Sequence, residues 1–439
     1  MPDLFPFPGL RYQVAPLDAV TAPPYDVIDE ESRARLEAAH PQNAVRLILP
    51  RDAEPGDRYQ RARETFEQWR ADGVLGADPP HLYVYRMTFT DPGGPGVSPD
   101  EPGGPGVSPD EPGGPGVSPG ETTGVARRMT GVVGALALSP PGEGTVLPHE
   151  RTMPKARSDR LDLLRSVRAN LDPVWGLSLS SGLSELIEPV IAAGGAAASC
   201  VDEDGVEHCL FPVAGELVDR IRSAVAAAPL VIADGHHRYE TALAYQEQQR
   251  AAGVDDPGAD RIMMLVVELA EEQLVVRPIH RLLWGVGADL RARLAEVCDV
   301  VPAGPNTADG VRQLVSDMDR TASMGLVDGD GLALLTPRLD VLGPAVAELP
   351  EPLRDVDAAR FDAVLDRIGA PGEIDYRNDA VTVAAMVAKG AADAAVLLRP
   401  VSVAQIDTVA EAGLRMPQKT TFFQPKPLTG LVFRSLDLG

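Results

Sequence analysis

One short stretch, residues 229–243, limits the kind of fold open to this chain more than any other. An apolar run of strand length, Leu230 to Ala233, stops at the turn pair Asp234-Gly235. Apolar residues then recur at helical spacing from Tyr239 onward. Strand and helix patterns alternate again beyond residue 250, so we expect a mixed α/β (α+β) fold.

The same turn carries reactive groups. The first N–H groups of a helix have no partner within it, and the helix dipole adds positive potential there. Gly235 lets a ligand approach the backbone closely. Asp234, His236, His237 and Arg238 add a carboxylate, two imidazoles and a fixed cation. We predict that this turn handles a phosphate group, with a purely structural helix cap as the alternative.

Two further segments concentrate polar side chains. Residues 146–155 form a polar loop between two prolines, for which a solvated loop is the alternative. Residues 415–427 form a proline-rich tail that either docks over a site or is an exposed terminus. The candidate residues of these two segments are His149, Glu150, Thr152, Lys155, Lys419 and Lys426.

Periodicity and capping signals predict the individual elements. Helices are predicted at 30–39 after the cap Asp29, around 59–69, from the cap Ser158 to Pro173, and at 221–228, 290–297 and 358–368. Strands are predicted at 44–49, 81–89, 131–138, 209–213, 262–269, 273–276 and 394–398.

A tandem repeat interrupts the first half of the chain. Residues 100–109 and 110–119 both read DEPGGPGVSP, after a partial copy at 91–99. Its glycine and proline content cannot build a core, so we predict a disordered loop of an expanded hairpin without a function of its own. The predicted regions are 1–90, the insert 91–121, the site-bearing continuation 122–250, and an α/β C-terminal region 251–439 whose tail can dock on the site.

Composition excludes several classes of function. The 439 residues carry a net charge of -24, which argues against a nucleic-acid partner and requires a locally positive pocket for an anionic substrate. No apolar run is long enough to span a bilayer, and the first residues do not resemble a signal peptide. The three cysteines form no CxxC pair, as expected of a cytoplasmic protein. The oligomeric state is not readable from the sequence.

Several ordered motifs resemble family 1015 of the domains of unknown function. The matching segments are Phe7–Tyr12, Ala22–Ile28, Leu147–Thr152, Arg168–Pro173, Ala233–Ala242 and Met416–Phe423. The Asp-Gly-His-His-Arg turn also resembles the Asp-Gly-His-x-Arg turn of the ParB/sulfiredoxin-like fold, which includes free-serine kinases that use ADP, ATP or pyrophosphate. This resemblance implies a ParB/sulfiredoxin-like core, a small-molecule substrate, and Glu150 as the base that acts on the serine hydroxyl.

The implied reaction is phosphoryl transfer, which depends mostly on positioning and charge neutralisation. No GxxxxGK[ST] motif is present, so the turn would replace a P-loop, with N–H groups of Gly235 and His236 on the phosphate. Asp234 would hold Mg²⁺. The expected catalytic residues are Glu150, His236 and Asp234. The expected substrate or phosphate contacts are Gly235, His237, Arg238, His149, Thr152, Lys155, Lys419, Lys426 and, for the amino group of serine, Asp26.

Two other classes of function remain open. A metal-dependent phosphatase or hydrolase would use Asp234, His236, His237 and His149 as metal ligands around an activated water. A non-catalytic module would bind a nucleotide without turnover.

Overall fold

The computed structural model describes residues 1–91, 124–140, 142–148, 150, 157–338, 340–342, 346–369 and 371–438. These residues form a mixed α/β fold with two large sheets. Among them, no helix combines the length and apolar character needed to cross a membrane. His149, Thr152 and Lys155 lie outside the described residues, as does nearly all of the repeat.

The helices are α1 (Leu17–Val20), α2 (Glu30–Ala39), α3 (Val45–Ile48), α4 (Arg58–Ala71), α5 (Arg157–Val167), α6 (Leu183–Ala192), α7 (Glu216–Val225), α8 (His236–Ala251), α9 (Leu290–Val297), α10 (Ala308–Thr321), α11 (Asp357–Ile368), α12 (Ala380–Ala388) and α13 (Val403–Glu411). Short 3₁₀ turns lie at Tyr25–Val27, Pro257–Asp260, Glu351–Leu353 and Leu436–Leu438.

The strands are β1 (Leu4–Phe5), β2 (Phe7–Tyr12), β3 (Leu75–Asp91), β4 (Val125–Ala137), β5 (Val146–Pro148), β6 (Ala169–Asn170), β7 (Val174–Ser178), β8 (Ala198–Val201), β9 (Glu207–Val213), β10 (Leu230–Asp234), β11 (Arg261–Glu268), β12 (Val275–Pro278), β13 (His280–Trp284), β14 (Cys298–Gly304), β15 (Met324–Asp328), β16 (Gly331–Pro337), β17 (Glu373–Arg377), β18 (Ala394–Leu397), β19 (Thr421–Gln424) and β20 (Phe433–Ser435).

The first sheet has twelve strands, with the main order β5-β10-β7-β11-β4-β3-β2-β20-β6. β10, which ends at the Asp234 turn, is parallel to one neighbour, β5, and antiparallel to the other, β7. The long strands β3 and β4 form an antiparallel pair whose last partners are Asp91 and Val125. The repeat insert therefore joins two paired strands, as predicted for an expanded hairpin.

The second sheet has six strands in the order β14-β16-β15-β18-β13-β17, and every neighbouring pair is antiparallel. It begins at His280, whereas the predicted region boundary lies at residue 250. The difference arises because β11, after that boundary, pairs with β7 and β4 and completes the first sheet.

The end of the chain returns to the first sheet. Residues 416–438, which we call the C-terminal segment, form a bridge from Met416 to Glu150 and a two-stranded sheet of β19 with β12. Thr429 then bridges to Ala22, and β20 inserts between β2 and β6. The segment is thus part of the architecture of the first sheet rather than a separate terminus.

Alternating residues of β10 enter two different apolar cores, as the period of a strand requires. Leu230 and Ile232 join the cluster that includes apolar residues of α6, α7 and α8. Val231 faces the opposite side with Trp175, and the Trp175 ring packs on Phe423 of the C-terminal segment with centroids 5.5 Å apart. The C-terminal segment therefore covers the face of the sheet opposite to α8.

Many elements match their sequence signals. Asp29 caps α2 by accepting from the Ser32 N–H at 2.8 Å, and α9 has the predicted bounds Leu290–Val297. The predicted cap Ser158 is wrong, because α5 begins one residue earlier at Arg157 and ends at Val167, before Pro173.

The strand predicted at 44–49 is also wrong, since these residues contain the short helix α3. The Asn43 side chain accepts from the Val45 N–H at 2.9 Å and donates to the carbonyls of Ala19 and Thr21, which anchors the start of a helical turn. All but one of the residues of α3 are buried, and a buried apolar run has no periodicity that separates a strand from a helix.

Candidate functional site

Gly235 shapes the turn between β10 and α8. It is the N-cap residue of α8, with φ +86° in the left-handed region. A Cβ at this position would lie 2.9 Å from Nε of Arg238. Both the backbone conformation and the close approach of Arg238 therefore favour glycine, and the turn leaves the first N–H groups of α8 facing the end of the strand.

Asp234 ends β10 and lies between two cations. Its Oδ2 accepts from the Arg238 guanidinium at 2.6 Å, and its Oδ1 accepts from Nζ of Lys426 at 2.6 Å. Each of the three side chains is at most 15% exposed. Burial alone would raise the pKa of Asp234, but the charges of Lys426 and Arg238 outweigh it and lower the pKa. Asp234 is therefore an ionised, firmly positioned carboxylate.

Arg238 extends this network toward a second buried acid. It donates to the carbonyl of Pro173 at 2.6 Å, and its buried Nε has no hydrogen-bond partner among the described residues. The Asp172 carboxylate is buried and accepts from the Thr429 hydroxyl of the C-terminal segment. Burial raises the pKa of Asp172, although the Arg238 charge and the Thr429 hydrogen bond act in the opposite direction. Asp172 is thus a site residue that the sequence analysis missed.

The sequence does contain a signal for Asp172, because this residue lies in the Arg168–Pro173 motif of the family resemblance. No local pattern indicates that Asp172 lies near Arg238. Asp26 lies in the 3₁₀ turn Tyr25–Val27, where its side chain is exposed and its charge reaches Arg238. The neighbouring Tyr25 ring lies under the Arg160 guanidinium, 4.2 Å from the ring centroid. The site therefore has an outer acidic edge at Asp26 and an interior of alternating charges.

Glu150 is held by a turn of the C-terminal segment. Its Oε2 accepts from the Lys419 N–H at 3.0 Å, and its Oε1 accepts from the N–H groups of Thr420 at 3.1 Å and Thr421 at 2.8 Å. The Thr421 hydroxyl donates to the same Oε1 at 2.8 Å. We call Lys419, Thr420 and Thr421 the Lys419 turn. Lys419 thus acts here through its main chain.

Sheet register places Glu150 and Asp234 at the same end of two neighbouring strands. β5 and β10 are parallel, with Pro148 opposite Ile232. Two residues later, Asp234 is the last residue of β10 and Glu150 lies just beyond β5. Adjacent strands usually lie about 4.8 Å apart. The C-terminal segment contacts both carboxylates, through the Lys419 turn and through Lys426.

The structure brings together most of the predicted site residues that it describes. Gly235, His236, His237 and Arg238 form the turn and the first turn of α8, and both imidazoles are half-buried. A positive charge on His236 would lower the pKa of Asp234 further. The described residues contain no group of three or more His, Cys, Asp or Glu side chains placed to hold a metal ion. Magnesium at Asp234 stays a prediction. Both oxygens of that carboxylate contact cationic side chains, which Mg²⁺ would have to replace.

A family model described as "Protein of unknown function (DUF1015)" matches residues 4–98 and 120–359. The chain belongs to this family. The interval between the two matched ranges, residues 99–119, coincides with the full copies of the repeat. The C-terminal segment lies beyond the matched range, although it contributes Lys426 and the Lys419 turn to the candidate site.

A search of curated proteins found no match. Among solved structures, the chain is similar to a conserved hypothetical protein from Pyrococcus furiosus, with 13% identity and a TM-score of 0.35 over 67% of this chain and 94% of that one. It is also similar to a free serine kinase variant in complex with ADP, with 12% identity and a TM-score of 0.37 over 67% and 91% of the two chains. A third similar structure is C-terminally truncated SbnI from Staphylococcus aureus, with 12% identity and a TM-score of 0.36 over 68% and 85%. At these TM-scores the similarities carry no argument about function.

Proposed function

We propose that this protein is a small-molecule kinase that transfers a phosphoryl group from pyrophosphate or a nucleotide to the hydroxyl of free L-serine. The observation that carries the proposal is the convergence of three features at one end of the first sheet. These are the N-terminus of α8 behind Gly235, the cations Arg238 and Lys426, and the carboxylate of Glu150 past the neighbouring strand.

Each feature supports one requirement of phosphoryl transfer. The first N–H groups of α8 and the dipole of a sixteen-residue helix favour a phosphate group at Gly235 and His236. Lys426 and Arg238 supply positive charge next to that point, in a protein whose net charge is -24. Asp234 fixes both cations by contacting each of them with one carboxylate oxygen.

In the proposed reaction, the Glu150 carboxylate takes the proton of the serine hydroxyl while the hydroxyl oxygen attacks the terminal phosphorus of the donor. The bridging P–O bond breaks, and inorganic phosphate or the shortened nucleotide leaves. Asp26, at the exposed edge of the site, binds the amino group of serine. Magnesium would enter with the donor phosphates, as it usually does in such enzymes. No step depends on a protein-held metal.

The test is ³¹P NMR of the purified protein with Mg²⁺ and L-serine, with pyrophosphate, ADP and ATP in separate samples. We expect a phosphoserine signal with at least one donor. Lys426→Met should slow its formation on the order of 10²-fold, the usual effect of removing one charged donor from a transferring group. Lys389→Met is the matched control, because Lys389 is exposed and follows α12, which packs on the second sheet.

The other outcomes each reject the proposal in a different way. Release of inorganic phosphate without phosphoserine would identify a hydrolase. Binding of a donor without any turnover would identify a nucleotide-binding module. Equal rates for Lys426→Met and Lys389→Met would place the reaction away from Asp234.

A further inference from the structure

The Lys419 turn is built like an oxyanion receptor. Three consecutive N–H groups and one hydroxyl donate to a single carboxylate, at distances of 2.8 to 3.1 Å. Lys419 has φ +55°, an uncommon left-handed conformation for a residue other than glycine. Successive N–H groups in such a turn form a concave nest that binds anions, phosphate among them.

A buried cation supports this turn from behind. Arg281, on β13, is 3% exposed, and its guanidinium donates to the carbonyls of Lys419 at 2.8 Å and Gln418 at 3.3 Å. These two hydrogen bonds hold the carbonyl groups of the turn toward Arg281, and the N–H groups of the turn face Glu150. Burial lowers the pKa of Arg281, while the negative charge of Glu150 raises it. The turn is therefore held by a buried guanidinium on the side opposite to Glu150.

Glu150 cannot act as an efficient base while it is bound there. Four donors already occupy lone pairs of its carboxylate, and they stabilise the carboxylate against accepting a proton. The acceptor pattern that the turn recognises, two oxygens of one anionic group, is also that of an amino-acid carboxylate or a phosphate group.

We propose that the Lys419 turn binds an oxyanion of the substrate, a carboxylate or a phosphate group, in exchange for the carboxylate of Glu150. The exchange releases the Glu150 side chain at the end of β5, the strand that pairs with β10. This consequence for catalysis rests on the proposed kinase function, whereas the binding of an oxyanion by the turn does not.

The experiment is isothermal titration of the full chain with pyrophosphate, inorganic phosphate and L-serine as separate probes. Glu150→Ala removes the competing carboxylate and should tighten binding of at least one probe by about tenfold or more, the scale of one charge-assisted hydrogen bond. The probe that gains affinity distinguishes a phosphate group from an amino-acid carboxylate. In the double variant Glu150→Ala, Thr421→Val, which also lacks the hydroxyl donor, the affinity should be several-fold lower than in Glu150→Ala alone.

Two variants serve as controls. Glu411→Ala removes one negative charge at an exposed position of α13, and its isotherms should match those of the unmodified protein. Glu150→Gln keeps the size of the side chain in case Glu150→Ala weakens the fold. It should give a smaller gain in the same direction, because the amide can accept with only one of its two terminal atoms.

The proposal is wrong if neither Glu150 variant binds any probe more tightly than Glu411→Ala does. It is equally wrong if the full gain survives Thr421→Val, since the oxyanion would then bind elsewhere. A gain in affinity without phosphoserine in the NMR experiment would support oxyanion binding by the Lys419 turn and reject the kinase activity. Phosphoserine without a gain in affinity would support the kinase activity and reject oxyanion binding by the turn.

Discussion

Gly235 is the residue on which the geometry of the candidate site most directly depends. Its φ of +86° turns the chain from β10 into α8, and the space where a side chain would begin is taken by Arg238. The same turn therefore sets the direction of the helix N-terminus and the position of the guanidinium that holds Asp234.

Gly235→Ala should lower both stability and oxyanion binding. The left-handed conformation is less favourable for alanine by about 1–2 kcal/mol, and the new Cβ displaces Arg238 from Asp234. Gly253→Ala is the matched control, because Gly253 has φ +67° and a Cβ added there would meet no atom within 4 Å. Urea unfolding should show a loss for both variants, whereas pyrophosphate titration should weaken for Gly235→Ala alone. Similar isotherms for both variants would contradict a role of this turn in binding.

The C-terminal segment is the element that assembles the site. It reaches Glu150, Asp234 and Asp172 through the Lys419 turn, Lys426 and Thr429. Between the last two, the Leu428 N–H donates to the hydroxyl of Tyr85 at 3.1 Å, in the middle of the first sheet. The position of Lys426 over Asp234 therefore depends on how the segment is anchored to β3.

A buried hydrogen-bond chain fixes this anchor. The Tyr85 oxygen accepts from Leu428 and lies 2.7 Å from Nδ1 of His208. In the neutral imidazole that carries its hydrogen on Nε2, Nδ1 accepts from the Tyr85 O–H. Asp202 selects this tautomer, because its carboxylate can only accept and lies 3.0 Å from Nε2 of His208. Burial raises the pKa of Tyr85, which keeps its hydroxyl protonated as this chain requires.

Tyr85→Phe should uncouple Lys426 from the sheet. The substitution leaves the Leu428 N–H and Nδ1 of His208 buried without this partner, which costs on the order of 1–3 kcal/mol for each group. We expect both a lower free energy of unfolding and a slower Lys426-dependent reaction. Tyr83→Phe is the matched control on the same strand, since the Tyr83 hydroxyl bonds to Gly9 and Asp78 instead. An unchanged rate in folded Tyr85→Phe would show that the segment is positioned by its strands alone.

At the scale of the whole molecule, the second sheet contributes a pH-dependent part of the stability. His280, at the start of β13, is 2% exposed, and its Nδ1 accepts from the Leu398 N–H at 3.2 Å. Burial lowers the pKa of His280 to about 4. The unfolded chain thus binds a proton near pH 6.5, whereas the folded chain does not bind it until about pH 4.

Stability should therefore fall as the pH decreases from 7 to 5, by about 2 kcal/mol from His280 alone. The lowered pKa values of Asp234 and Asp202 act at lower pH, since their stabilisation is lost as the pH falls below about 3.8, the ordinary pKa of aspartate. Urea unfolding at the two pH values measures the difference. His280→Asn, which keeps an acceptor near Nδ1, should remove most of it. A pH dependence that persists in this variant would assign the effect to other groups.

Local signals in the sequence determined those parts of the protein whose partners are close in the chain. They include the β10–turn–α8 unit, the Asp29 cap of α2, and the bounds of α9. Hydrogen bonds within a turn and the periodicity of an element depend on neighbouring residues, and both are readable without the fold. The six ordered motifs, residues 233–242 among them, also identified the family.

Only the tertiary structure decided which of these residues meet. Lys426 and Asp234 are 192 positions apart, and Glu150 lies 269 positions before Lys419. Their contacts follow from the parallel register of β5 with β10 and from the return of the C-terminal segment across the first sheet. Strand order and register are set by packing over the whole chain, so no local pattern could assign Lys426 to Asp234, Asp172 to Arg238, or the Lys419 turn to Glu150.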